Sequence, residues 1–229
     1  MKKLTLLFLI TALLGFTSCT VGPEGPEGAD VAVLVFQQGV LPSEAYDGTT
    51  DADIFSAAGY QNTNFGNFST TMCGSDTSEY QRMRVIMKFD LSYVTPPDIE
   101  VTEAYLLLRV AYAAGQNTIT AYAVTKEWVE NQATWNIYST GNNWTNPGGD
   151  HLASAMGSFS FGGSDSGKYF RLNLDPAWVN GWIDGSVLNR GIILKAANEV
   201  TGVNMAELAS SENAIKELRP RLVVKYKLP

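Results

Sequence analysis

Gln81-Arg82-Met83-Arg84-Val85-Ile86-Met87-Lys88-Phe89-Asp90 is the stretch that decides the fold class. Successive side chains of an extended chain point to opposite sides. Met83, Val85, Met87 and Phe89 therefore share one face. Arg82, Arg84 and Lys88 share the other, interrupted only by Ile86. Period two with charge on one side predicts a half-buried strand.

The same period runs outward in both directions. Downstream, Ala104, Leu106, Leu108, Val110 and Tyr112 share a face, and Thr118 to Thr125 continues the pattern. In Lys168 to Asp175, Phe170, Leu172 and Leu174 point inward while Tyr169, Arg171 and Asn173 point outward. Gly191 to Ala196 is nearly all apolar, as a central strand would be. Leu222, Val224, Tyr226 and Leu228 form the inner face of a last strand. Upstream, Val31 to Phe36 is apolar and β-branched, and Asp53 to Ser56 is short and apolar between polar clusters.

Helix signals are few. Asp175-Pro176 offers a cap and a first helical residue. Ala177, Trp178, Gly181 and Trp182 follow as a short amphipathic helix ending at Gly185. Thr125 to Asn131 fits one further helical turn. Short strands joined by Gly- and Asn-rich turns predict an all-β fold. The expected architecture is a two-sheet antiparallel jelly-roll sandwich with one or two short helical turns.

The N-terminus sets the compartment. Lys2 and Lys3 precede an apolar run from Leu4 to Phe16, and Thr17-Ser18-Cys19 follows. Residues 1–18 therefore read as a secretory signal peptide. The run is about 13 residues, too short for a ~30 Å hydrocarbon core. Cys19 directly after small residues resembles a bacterial lipobox, whose cysteine is lipidated and becomes the mature N-terminus. Residues 19–30, with Gly22, Gly25 and Gly28 among Pro and Glu, read as an extended spacer. Residues 31–229 form the expected domain. The mature protein is expected in the bacterial cell envelope, at the outer membrane or cell surface, held to the membrane by lipid.

Charge and cysteine narrow the function further. The chain has 23 acidic against 16 basic residues, and the leader carries two of the lysines. An acidic surface argues against nucleic acid as a partner. Apart from Cys19 there is only Cys73, so no site can be built from several thiolates. An unpaired thiol in an oxidising compartment is expected to be buried.

Specific words follow one another along the chain. Asp47-Gly48-Thr49-Thr50-Asp51-Ala52-Asp53 precedes Asn62-Thr63-Asn64-Phe65-Gly66. Arg84-Val85-Ile86-Met87-Lys88-Phe89-Asp90-Leu91, Val101-Thr102-Glu103-Ala104-Tyr105-Leu106, Val124-Thr125-Lys126-Glu127-Trp128 and Ala133-Thr134-Trp135-Asn136 come next. Asn189-Arg190-Gly191-Ile192-Ile193-Leu194-Lys195, Ser210-Ser211-Glu212 and Arg219-Pro220-Arg221-Leu222 complete the set. In this order they resemble the DNRLRE domain, also grouped as carbohydrate-binding module family 96, from about Val31 to Leu228. The resemblance implies a β-sandwich that accompanies secreted polysaccharide-degrading enzymes or surface proteins. Some members bind acidic polysaccharide such as alginate. Leu208 stands where the family more often has an aromatic residue, and no catalytic domain is expected alongside.

Three groups of residues are candidates for a site. The basic row Arg82, Arg84 and Lys88, with Lys168 and Arg171 as neighbours, would suit a carboxylated sugar, because Arg grips a carboxylate through two parallel hydrogen bonds. Cross-strand ion pairs would explain the same row. Aromatic faces suit sugar stacking. Trp144 in the loop Gly141 to Pro147 and Tyr169 are the candidates of that kind, with Trp128, Trp135, Trp178 and Trp182 reading as packing. The expected ligand-binding set is Arg82, Arg84, Lys88, Trp144, Tyr169 and Arg171. Asp47, Asp51 and Asp53, with Asn62 and Asn64, offer oxygens to a structural calcium ion, although turn chemistry explains them equally.

Catalysis has little support. His151 is the one histidine, in a Gly-rich loop, and Gly-x-Ser-x-Gly is absent from the chain. The reading is a non-catalytic, lipid-anchored carbohydrate-binding domain without a cofactor, with acidic polysaccharide among its expected ligands. The alternative is a structural or adhesive surface lipoprotein that contacts other proteins.

Overall fold

The computed structural model describes residues 31–94 and 99–227. The signal peptide, Cys19, the spacer and Leu228 lie outside the described residues. In chain order the elements are β1 (Val31–Phe36), β2 (Thr49–Phe55), β3 (Thr70–Asp76), β4 (Gln81–Phe89), β5 (Glu100–Ala114), β6 (Gln116–Val124) and β7 (Ile137–Ser139). They continue with β8 (Asn142–Asn143), β9 (His151–Gly162), β10 (Tyr169–Leu174), α1 (Pro176–Asp184), β11 (Ile192–Ala196), β12 (Val203–Ala209) and β13 (Arg221–Lys227).

The strands make an all-β sandwich of curled antiparallel sheets. One sheet orders β1, β13, β5 and β10. The other carries β12, β3, β4, β11, β6 and β9, with β2 also against β4. Both share β5. Its first ten residues pair with β13 and β10, and Val110 to Ala114 pair with β12. The two sheets are therefore one continuous eleven-stranded hydrogen-bonded network.

The main core lies between the sheets. Leu106, Leu108 and Leu172 face Val85, Met87, Ile119 and Leu194, all essentially inaccessible to water. Alternation along β4, β10 and β11 places these side chains as expected. On β5 the alternation holds from Ala104 to Val110 and then inverts. The register against β12 slips between Glu207 and Leu208, so Glu207 faces Tyr112 and Leu208 faces Val110. The bulge turns Ala113 inward and leaves Tyr112 exposed, contrary to the simple periodic reading.

A second apolar layer covers the outer face of the β2–β4–β11–β6 sheet. Ile54, Ile86, Val124 and Ile193 point away from the main core and pack under Trp128, Trp135 and Trp144. These tryptophans come from the long excursion between β6 and β9. The strand that the sequence reads as half buried is thus buried on both faces, and Ile86 is the residue that marks the second layer.

The helix forms where its caps allow. The Asp175 side chain accepts from the Ala177 N–H, Pro176 opens the helix, and Gly185 closes it at φ +77°. Thr125 to Asn131 is not helical. Its N–H groups turn to other segments, Thr125 to the Asp150 carbonyl and Val129 to the Tyr138 carbonyl. Trp128 then reaches the second core and donates from Nε1 to the Arg190 carbonyl at 2.9 Å. Cys73 is buried as expected and lies 3.4 Å from the Leu194 carbonyl oxygen.

Candidate functional site

The basic row does not survive as a surface stripe. Arg84 is buried, and its fork is filled by the chain itself. Nε and Nη2 donate to the two Glu199 oxygens at 2.8 and 2.7 Å, and Nη1 donates to the Gly148 carbonyl at 2.6 Å. The guanidinium also lies 4.8 Å from the Trp135 ring centroid. Gly148 has φ +96°, and a Cβ there would come within 2.7 Å of both Arg84 and Trp135. Lys88 pairs with Glu127 at 3.0 Å. Arg82 is exposed at the start of β4.

Tyr169 and Arg171 sit on the outer face of the other sheet, so they are not neighbours of Arg82, Arg84 or Lys88. Tyr169 is 46% exposed and lies over Arg109. Arg171 covers the Tyr105 ring at 3.7 Å and pairs with Glu103. Lys168 pairs with Asp165 at 2.7 Å. Trp144, expected as an exposed loop residue, is only 3% exposed. Its Nε1 donates to the Thr134 carbonyl at 2.9 Å, and its ring packs against Tyr138. The six expected ligand residues do not form one set: Arg82, Arg84 and Lys88 lie on the outer face of β4, and Tyr169 and Arg171 on that of β10 in the other sheet.

Asp51 and Asp53 turn inward from β2, while Asp47 is exposed. Asp51 Oδ2 accepts from the Ser211 N–H at 2.7 Å, and Asp53 Oδ1 accepts from the Met72 N–H at 2.8 Å. They tie an edge strand to neighbouring segments. Burial pushes Asp51 up to about 8, with the Glu212 charge adding to it, and drives Asp53 well above its ordinary value. Among the described residues no three His, Cys, Asp or Glu side chains gather as a metal-holding group. The structure does not bring Asp47, Asp51 and Asp53 into one ion site.

A different site emerges from strand alternation. Leu194 on β11 faces the core, so Lys195 faces outward. Ala121 on β6 faces the core, so Tyr122 faces outward beside it. His151 opens β9 opposite Val124. These three side chains meet. The Tyr122 and His151 rings lie 4.7 Å apart at 36°. Lys195 Nζ is 2.9 Å from His151 Nε2 and 5.6 Å from the Tyr122 ring centroid.

His151 Nδ1 lies 2.7 Å from the Leu152 carbonyl oxygen, which fixes Nδ1 as the protonated nitrogen. Nε2 is then a lone pair, and Lys195 donates to it. Burial lowers the His151 pKa, and the nearby Lys195 and Arg84 charges lower it further. Burial also lowers the Lys195 pKa, with Arg84 adding to the effect.

The cleft around these groups holds about 540 Å³ and is also walled by Lys126, Asn146 and Asp150. Asp150 is spent on the wall. Its two oxygens accept from the Thr145 and Asn146 N–H groups at 2.7 and 2.9 Å. Neither Lys126 nor Lys195 has a carboxylate within 4.0 Å among the described residues. Glu199, the nearest acidic neighbour on the Arg84 side, is held by Arg84. The cleft therefore holds two ammonium groups without a direct ion-pair partner, on an otherwise acidic protein, with the Asp150 carboxylate in the wall acting on Lys126 at longer range.

Sequence reasoning missed this cleft. Lys126 and Lys195 stand inside recurrent family words, and His151 reads as a solvated loop residue. The one available signal was the outward parity of Lys195 in an otherwise apolar strand.

No curated protein matches the chain. The family model for carbohydrate-binding module family 96 matches residues 45–226, which include β2 through most of β13 and every wall of the cleft. The chain belongs to carbohydrate-binding module family 96.

Proposed function

We propose that the domain is non-catalytic and holds an acidic polysaccharide in the Lys126–His151–Lys195 cleft. The observation that carries this reading is the pair of lysines in one cleft, neither with a carboxylate within ion-pair distance. A carboxylated sugar would supply the anions that the two ammonium groups lack as direct partners. Partial burial strengthens such contacts relative to bulk water. Asp150, the one carboxylate in the cleft wall, is engaged with backbone donors. General acid–base hydrolysis of a glycoside asks for two carboxyl groups.

Cys19 and the spacer extend the proposal. A lipid on Cys19 would hold the domain at the cell envelope, with the Gly- and Pro-containing spacer giving it reach. Detergent phase partitioning of the full chain and of Cys19→Ser tests that part: the wild type should enter the detergent phase and the variant should not.

Titration calorimetry of residues 19–229 with polyuronate and with a neutral glucan tests the binding. Binding to polyuronate that weakens with salt, with no release of shortened products, is the expected result. Equal binding of both polymers, or no binding, would overturn it.

A further inference from the structure

The cationic cleft is one end of a longer surface. On β6, Ile119 and Ala121 are buried in the main core, so Thr118, Thr120 and Tyr122 share the outer face. On β9, Phe159 and Phe161 point inward, so Ser158 and Ser160 point outward. The register places Thr120 opposite both Ser158 and Lys195, and Thr118 opposite Ser160. Hydroxyl side chains therefore continue the row away from Lys195. The Thr118 and Ser160 hydroxyls are 2.8 Å apart.

The row ends in an open groove of about 740 Å³ between the end of β9 and the turn after β11, lined by Gln116, Asn117, Ser164 and Asn198. Its wall is fixed. Asn117 Nδ2 donates to the Asn198 and Asn204 carbonyls at 2.6 and 3.2 Å, and Asn117 Oδ1 accepts from the Thr118 and Asn198 N–H groups at 3.0 Å each. Asp165 is likewise occupied, by the Gly162 N–H at 2.8 Å and by Lys168 at 2.7 Å. The Asn117 amide is thus saturated, and the groove offers the Gln116 amide and the Thr118, Ser160 and Ser164 hydroxyls where the cleft offers cations.

We infer that the site in the cleft extends along the outer face of β6 and β9 to the amide-lined groove, and takes an internal stretch of a linear polysaccharide. From Tyr122 to Gln116 the strand covers about 20 Å, several sugar units long. A hydroxyl pair such as Thr118–Ser160 keeps one donor and several lone pairs free, which suits the hydroxyls of a sugar. Contacts along the row go to side groups of the polymer, so it needs no chain terminus. Carboxylate recognition belongs to the Lys195 end and hydroxyl recognition to the Thr118–Ser160 and Gln116 end.

This inference rests on the polysaccharide reading above, and the experiment separates the two. Calorimetry of the soluble domain is run with size-fractionated oligouronates, from the dimer to the octamer, on wild type, Lys195→Gln and the double variant Thr118→Val, Ser160→Ala. Wild-type affinity should rise with oligomer length until the row is spanned. The double variant should lose roughly threefold to tenfold for the octamer and nothing for the dimer. Lys195→Gln should weaken both. A dimer bound as tightly as the octamer, or an octamer indifferent to the double variant, overturns the extended site and leaves the cleft standing. Absence of binding by any oligomer overturns both. Circular dichroism and thermal melting confirm that the variants are folded, and Thr118→Val alone serves if the double variant is not.

Discussion

Arg84 and Glu199 form a two-bond fork, Nε to Oε1 at 2.8 Å and Nη2 to Oε2 at 2.7 Å, between residues 115 positions apart in the chain. The side chains are 11% and 12% exposed. The guanidinium that could have gripped a ligand's carboxylate instead holds β4 to the turn after β11. Through Gly148 it also holds the loop that carries the tryptophans.

Breaking that pair should be costly. Glu199→Gln or Arg84→Ala leaves one largely buried charge uncompensated, and the expected loss is about 3–5 kcal/mol in urea unfolding. Arg84→Met with Glu199→Leu removes both charges and should recover most of it. A single variant as stable as wild type would show that the fork does not hold the loop.

Trp144 is a packing residue. Trp144→Ala should cost about 3–5 kcal/mol of stability, while affinity per folded molecule for polyuronate stays unchanged. Trp144→Phe should cost less, losing the Nε1 bond to Thr134 but keeping most of the apolar volume. A folded Trp144→Ala domain that no longer binds would return Trp144 to the ligand site.

Lys195→Gln and Lys126→Ala should each weaken polyuronate binding by roughly tenfold at low salt, and by less at high salt, as expected of exposed-cleft charge. Tyr169→Ala and Arg171→Ala, on the other sheet, should leave the affinity unaltered. The reverse pattern would move the ligand to the outer face of β10.

Binding should also strengthen in mild acid. His151 is neutral and accepts from Lys195, with its pKa below the ordinary value near 6.5. Protonation adds a positive charge and releases the ammonium from Nε2, while uronates remain ionised. Polyuronate affinity measured between about pH 7 and pH 5 should therefore rise in wild type and stay nearly flat in His151→Asn. A wild-type affinity that falls over this range, or a rise of equal size in His151→Asn, would contradict this role for His151.

Stability should move the same way, for other reasons. Burial raises Asp51 to about 8 and Glu130 to about 7, and raises Asp53 and Glu212 as well. Folded values above unfolded ones mean that the folded state binds more protons. These groups therefore stabilise most below about pH 4, and that stabilisation is lost as pH rises through about 7 to 8. The melting temperature should fall from about pH 5 to pH 9. Asp51→Asn keeps a side-chain acceptor for Ser211 and should flatten the slope. An unchanged slope would exclude Asp51 as a source.

Much of the fold was legible because alternation is a local property. β4, β10 and β13 show their inner faces directly, and Asp175-Pro176 with Gly185 bounds α1. β3, β9 and β12 were less visible. β9 reads His-Leu-Ala-Ser-Ala-Met-Gly-Ser-Phe-Ser-Phe-Gly, and its first half uses Ala and Ser on either side. Small residues give too little hydrophobic contrast to mark a face, so only partner strands define it. The bulge on β5 was hidden for a similar reason, since Ala111, Tyr112 and Ala113 read equally well in either parity.

The sequence by itself determined an antiparallel β-sandwich of carbohydrate-binding module family 96, with Leu106, Met87 and Leu172 on its inner faces. Alternation reports which side chains share a face, and it needs only neighbours in the chain. Tertiary structure decided what covers each outer face. The excursion after β6 buried Ile86, Arg84 and Trp144, and strand order brought Lys195, Tyr122 and His151 to one cleft. A side chain's availability to a ligand depends on partners far away in sequence, and Arg84 was decided by Glu199.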